Sequence, residues 1–156
     1  MQVSLLERPA RDAQPRHRAA LRVVRRFDAT PARVFDAWLD PALAQRWLFA
    51  TATRPVACVE IDARVGGAFC FTEWHDGTLL AHAGRYLEIV PHRRLAFSLS
   101  SHMHADALTR VDVTIVPRRN GCTLTLMHAD VPRARAQYTR ARWTGILYGL
   151  GEYLCV

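Results

Sequence analysis

The apolar residues of this chain change their period twice, and that change restricts the folds open to it. After a first strand-like run at Leu21–Asp28, the stretch from Thr30 to Leu39 sets Val34, Phe35, Trp38 and Leu39 on one helical stripe. From Pro55 to about Ala129 the period is two, with Val111, Val113 and Ile115 set against Arg110, Asp112 and Thr114. After Pro132 it is helical again, and Trp143, Leu147, Leu150 and Leu154 fall on one face. Strict alternation indicates an antiparallel sheet with one packed face. The order is strand, two helices, six strands, long helix. It predicts an α+β domain in which the last helix closes over a curved sheet.

Local signals place the boundaries. Thr30 can cap the first helix and Pro31 suits its first position; Asp40-Pro41 repeats the signal and predicts a second short helix over 42–48. Candidate strands run over Val56–Ile61, Ala68–Trp74, Leu80–Val90, Leu95–Ser101, Leu108–Val116 and Cys122–Ala129. Asp76-Gly77 reads as a two-residue hairpin turn, whose central positions both need positive φ.

The 156 residues suit one domain, assigned to 20–156, behind a mobile basic arm over 1–19. The net charge is +7, and all 21 basic residues are arginine. Without lysine there is no Schiff base and no phosphate-loop lysine. The arginines are scattered and not interleaved with stacking aromatics, so nucleic acid is not an expected partner. No apolar run approaches the ~20 residues of a membrane span. The N-terminal stretch lacks the apolar block of a secretory signal, which makes a cytoplasmic location the default expectation. Four separated cysteines, Cys58, Cys70, Cys122 and Cys155, read as buried free thiols with no zinc site.

Five strings carry a likeness to a known family: FDATPARVFDAWLDP (27–41), RVGGAFCF (64–71), GRYLEIVPHRRLAF (84–97), LTLMH (124–128) and WTGILYGLGEYL (143–154). Together they resemble the START-like (SRPBCC) superfamily and, within it, the activator of Hsp90 ATPase homologue 1-like family. Trp47-Leu48 departs from the pair of tryptophans many relatives carry, a change at the expected pocket mouth. The resemblance implies a helix-grip fold: a seven-stranded antiparallel sheet wrapped around the C-terminal helix, with an elongated cavity between them. It implies a range of functions, from binding hydrophobic molecules to polyketide cyclisation, and the fold does not choose among them.

The residues supply a candidate lining for that cavity. Strand parity puts Phe69, Phe71 and Glu73 on one face, Leu95, Phe97 and Leu99 on another inner face, and His128 beyond Leu124 and Leu126. Glu73 has two placements. It sits at the sheet rim in water, or it is a partly buried carboxylate raised by desolvation and able to act as acid or base. The hairpin register sets His82 opposite Phe71 and turns it inward, yet Leu87 and Ile89 demand the parity of Arg85. A bulge would reconcile the two, and Glu73–His82 and Glu73–Arg85 both stay open. His128 is either a structural histidine bonded to the loop before the last helix or a titrating, ligand-facing one. His102 and His104 lack a third ligand at matching spacing, so they read as a solvated turn and no metal is expected.

On the last helix, Trp143 and Leu147 are core residues that also face the cavity, and Tyr138 and Arg142 stand at its mouth. Arg142 could offer paired donors to an anion. Gly145, Gly149 and Gly151 disfavour helix; they reflect close approach to the sheet, or room for a ligand, or a kink. No catalytic or cofactor motif is present, so no cofactor is expected and nothing compels an enzyme. The first reading is a cytoplasmic domain binding a hydrophobic or aromatic small molecule beneath the last helix. A sheet–helix interior packed solid would count against it. The second is a cyclase- or dehydratase-like enzyme using Glu73 or His128, and the third, from the family name, is an Hsp90-related interaction module. A homodimer through exposed strand or helix surfaces is left open.

Overall fold

A computed structural model describes residues 17–49, 56–104 and 107–155. Its strands are β1 (Arg18–Phe27), β2 (Val56–Ile61), β3 (Ala68–His75), β4 (Thr78–Val90), β5 (Arg94–Ser101), β6 (Thr109–Arg118) and β7 (Gly121–Pro132). They form one antiparallel sheet in the order β1-β7-β6-β5-β4-β3-β2. The helices α1 (Pro31–Leu39) and α2 (Pro41–Ala44) join the two edge strands, and α3 (Ala136–Leu154) follows β7. Trp143, Ile146, Leu147, Leu150 and Leu154 of α3 are buried in one core with Trp38 of α1 and the inner faces of β3, β5, β6 and β7. This is the helix-grip arrangement.

Caps and turns behave as their chemistry dictates. The Thr30 side chain accepts from the Arg33 amide at 3.2 Å, and the Asp40 carboxylate accepts from the Ala42 amide at 2.9 Å. The Asp76-Gly77 turn pairs His75 with Thr78, with φ of 49° and 77° at its two central residues. That register sets Phe71 opposite His82 and Glu73 opposite Leu80.

The parity conflict in β4 is resolved by a bulge. Tyr86 pairs with Phe97 but Glu88 with Ala96, so Leu87 is the extra residue. His82 and Tyr86 therefore face inward before the bulge, Leu87 is exposed, and Ile89 packs on the core after it.

Three boundaries differ from the expectation. Of the arm placed at 1–19, residues 1–16 lie outside the described residues, while Arg18 and Ala19 already pair with Pro132 and Val131 of β7. Strand length is set here by the partner strand. The second helix stops at Ala44, four residues short, because the chain turns so that the buried Trp47 indole can donate to the Ala37 carbonyl at 2.9 Å. At the other end, α3 starts after a 3-10 turn at Arg133–Arg135. Of the four free cysteines only Cys122 is buried; Cys58 and Cys155 are exposed, against the expectation of buried thiols.

Candidate functional site

Four elements converge on one carboxylate. Glu73 near the end of β3 is 1% exposed, which excludes the rim placement. Its Oε1 lies 3.2 Å from His102 Nε2, 3.6 Å from His82 Nε2 and 3.9 Å from Arg142 Nη2. The open choice thus falls to His82, while Arg85 turns away and donates to the Gly66 carbonyl. Burial pushes the Glu73 carboxyl up, but His82, Arg142 and His102 together outweigh it and hold the group below the usual carboxylate range. The expectation of a raised acid is overturned by these three neighbours.

The His82 ring is held on two sides. Phe49 stacks on it at 4.2 Å with planes 3° apart, and Ser101 Oγ lies 2.6 Å from Nδ1. Phe49 takes φ 59°, a left-handed backbone that aromatic residues rarely adopt. No sequence signal marks it as part of the site.

The solvated turn expected at His102 and His104 is not what forms. These residues make a 3-10 turn (His102–His104) pinned beneath α3, where Thr139 Oγ1 donates to the Met103 carbonyl at 3.2 Å. His104 is fully buried edge-on to His128, and His102 reaches Glu73.

His128 belongs to a separate arrangement. Trp143 Nε1 donates to its Nδ1 at 2.9 Å, so the ring proton sits on Nε2. Nε2–H faces Thr109 Oγ1 at 2.7 Å, and that hydroxyl donates to the Leu99 carbonyl at 2.8 Å. Both ring nitrogens are engaged within the core, so the proton-transfer reading loses this candidate. Its bonding partners are β6 and α3, not the loop before the helix. Burial, with His104 adding to it, lowers the imidazole to about 3.

The cavity expected between sheet and helix is closed where the described residues bound it, which counts against a ligand held there. Between sheet and helix, the void bounded by Trp38, Phe49, Phe69, Phe71 and Phe97 measures only about 10 Å³, room for at most about one water. Phe49 and Trp143 occupy the interior, in ring contact with each other and with Phe71 and Trp38 respectively. Leu99 and Leu147 are wholly buried core residues that border no described opening. The large concavity, about 690 Å³, is an open groove along α3. Arg46, Trp47, Tyr138, Arg142, Ile146 and Tyr148 line it, and Arg142 links it to Glu73. Arg46, Ile146 and Tyr148 were not among the sequence candidates.

The seven-stranded antiparallel sheet wrapped on α3 defines a START-like protein of the helix-grip class. The chain belongs to the Activator of Hsp90 ATPase homolog 1-like family, whose model matches residues 28–155. A crystal structure of a Chromobacterium violaceum protein is 29% identical with a TM-score of 0.76, covering 85% of this chain and 94% of that one. A Rhodobacter sphaeroides protein is 25% identical with a TM-score of 0.75, covering 87% and 92%. An AHSA1-like protein from Aeromonas hydrophila, 22% identical with a TM-score of 0.74 and coverage of 87% and 92%, shares the fold. No curated protein matches the chain. Among the described residues no helix is long and apolar enough to cross a membrane.

Proposed function

We propose that this protein binds a small organic anion with an apolar or aromatic body, seated in the groove along α3 with its charged end at Arg142. The carrying observation is the pair Gly145 and Gly149, one turn apart on the groove wall. A Cβ at either would meet nothing within 4 Å among the described residues, so close packing does not require these glycines. Each costs roughly 0.8–1 kcal/mol of helix propensity relative to alanine. What they leave is width, between the rings of Trp47, Tyr138 and Tyr148 and the guanidinium groups of Arg46 and Arg142, with the Glu152 carboxylate also on the wall. A volume of this size fits a drug-sized molecule, and a few polar groups in an apolar wall fix its orientation. Among the described residues Arg142 Nε and Nη2 make no hydrogen bond, and Nη2 reaches Glu73 Oε1 only at 3.9 Å, so protein acceptors do not saturate the guanidinium.

Calorimetric titration with aromatic and medium-chain carboxylates and their neutral amides tests the reading. Carboxylates are expected to bind, with the matching amides and Arg142→Met each weaker by roughly tenfold or more. Gly145→Leu should block the groove while leaving the core intact. Carboxylate binding indifferent to both substitutions would remove the groove from consideration. Gly145→Ala alone should raise stability by about 0.5–1 kcal/mol, read from urea midpoints.

A further inference from the structure

We propose that Glu73, His82 and His102 form a binding site for a divalent transition-metal ion of the zinc type, with its open side toward Arg142. The three residues come from β3, β4 and the 3-10 turn, and each presents one donor atom within 4.8 Å of the others. Two imidazoles and a carboxylate are a donor set that suits zinc and its neighbours in the first transition row. A four-coordinate ion with bonds of ~2.0–2.1 Å holds its donors ~3.3 Å apart. The two imidazole–carboxylate separations, 3.2 and 3.6 Å, bracket that spacing.

Two further observations point to a cation. Among the described residues Glu73 Oε2 is buried without a hydrogen-bond partner, a costly state for an ionised carboxylate whose charge a cation on Oε1 would offset. His82 carries the outer support of a ligating histidine. Ser101 Oγ, itself an acceptor from the Met103 amide at 3.2 Å, lies 2.6 Å from Nδ1 and can accept a hydrogen bond from Nδ1–H, leaving the Nε2 lone pair toward Glu73. His102, whose side chain is 22% exposed, gives the site its contact with solvent.

Arg142 sets the character of the site. Its guanidinium shares Glu73 Oε1 with the proposed ion, so it repels a bare cation and favours an anion in the open coordination position. Metal binding is distinct from the groove ligand proposed above, and Arg142 moves the two in opposite directions. Its loss should weaken the organic anion and tighten the metal.

The test uses the full chain, stripped with chelator and titrated with Co²⁺ and then Zn²⁺ near pH 7.5. One equivalent of Co²⁺ should bind, give visible absorption bands of a low-coordinate site, and be displaced by Zn²⁺. Glu73→Gln and His102→Ala should each weaken binding by more than the roughly 10–100-fold that losing an outer-shell partner costs. Arg142→Met should tighten it, by roughly tenfold. Because the His102 side chain is partly exposed, His102→Ala keeps the test valid where Glu73→Gln disturbs folding. Absence of stoichiometric binding overturns the site, as does one-equivalent binding that survives His102→Ala, which would place the ion elsewhere, as on the exposed cysteines.

Discussion

Gly84→Ala should destabilise the fold by at least about 3 kcal/mol, lowering the melting temperature by ~6–12 °C for a domain of this size. Gly84 lies in β4 opposite Phe69 of β3, where the paired register with β5 passes from Ala83–Ser100 to Tyr86–Phe97. In that interval the Arg85 amide donates to the Ser98 hydroxyl at 3.0 Å, and the Ser98 backbone leans over Gly84. A Cβ at Gly84 would sit 1.8 Å from the Ser98 carbonyl oxygen, 2.7 Å from its carbon and 2.8 Å from the Phe69 ring. Backbone on one side and a packed aromatic ring on the other cannot both yield, so β4 and β5 must part beside the site that holds His82. Gly145→Ala, the same chemical change on an open helix face, is the control and should shift stability the other way. Equal urea midpoints for the two variants would show that Ser98 yields cheaply.

The hairpin turn pointed to a register that faces His82 inward, because a two-residue turn is a local device and parity carries it along both strands. The parity of Leu87 and Ile89 left that facing open against Arg85. What parity could not decide was where the bulge falls. Leu87 is expelled because Tyr86 and Ile89 both pack inward, a competition among side chains from several strands. His102 and His104 were misread for a related reason. Their turn is drawn under α3 by the bond from Thr139 to the Met103 carbonyl, a contact between residues 36 apart in the chain, and nothing in SHMHAD announces it. The Glu73–His82–His102 cluster was therefore only half visible.

The interior shows the remaining limit. Alternation tells which residues face the core but not how much volume they must fill. Phe49 comes from the turns after α2, outside every periodic segment, and fills space that the strand pattern alone would leave empty. The open space consequently lies along α3, where its outer face carries Gly145 and Gly149.

Stability should fall steeply as the solution is acidified below pH 6.5, and His128 should be the main cause down to about pH 4.5. In the folded protein this imidazole is lowered to about 3 by burial and by His104; in the unfolded chain it returns to about 6.5. Between those values the unfolded state binds one more proton than the native state, so unfolding free energy rises with pH there and declines on acidification. The slope approaches ~1.4 kcal/mol per pH unit, a loss of about 3 kcal/mol by pH 4. Glu73, held low, acts in a separate window: its stabilisation is full above the unfolded carboxyl value and fades only as pH falls through its folded one. His128→Gln separates the two, since an amide can still accept from Trp143 and donate to Thr109 but does not titrate. The variant should be about 1–3 kcal/mol less stable at pH 7.5, yet almost flat between pH 6.5 and 4.5. A wild-type slope surviving in His128→Gln would mean that another group takes up the proton and that the Trp143–His128–Thr109 chain is not what keeps the core closed in mild acid.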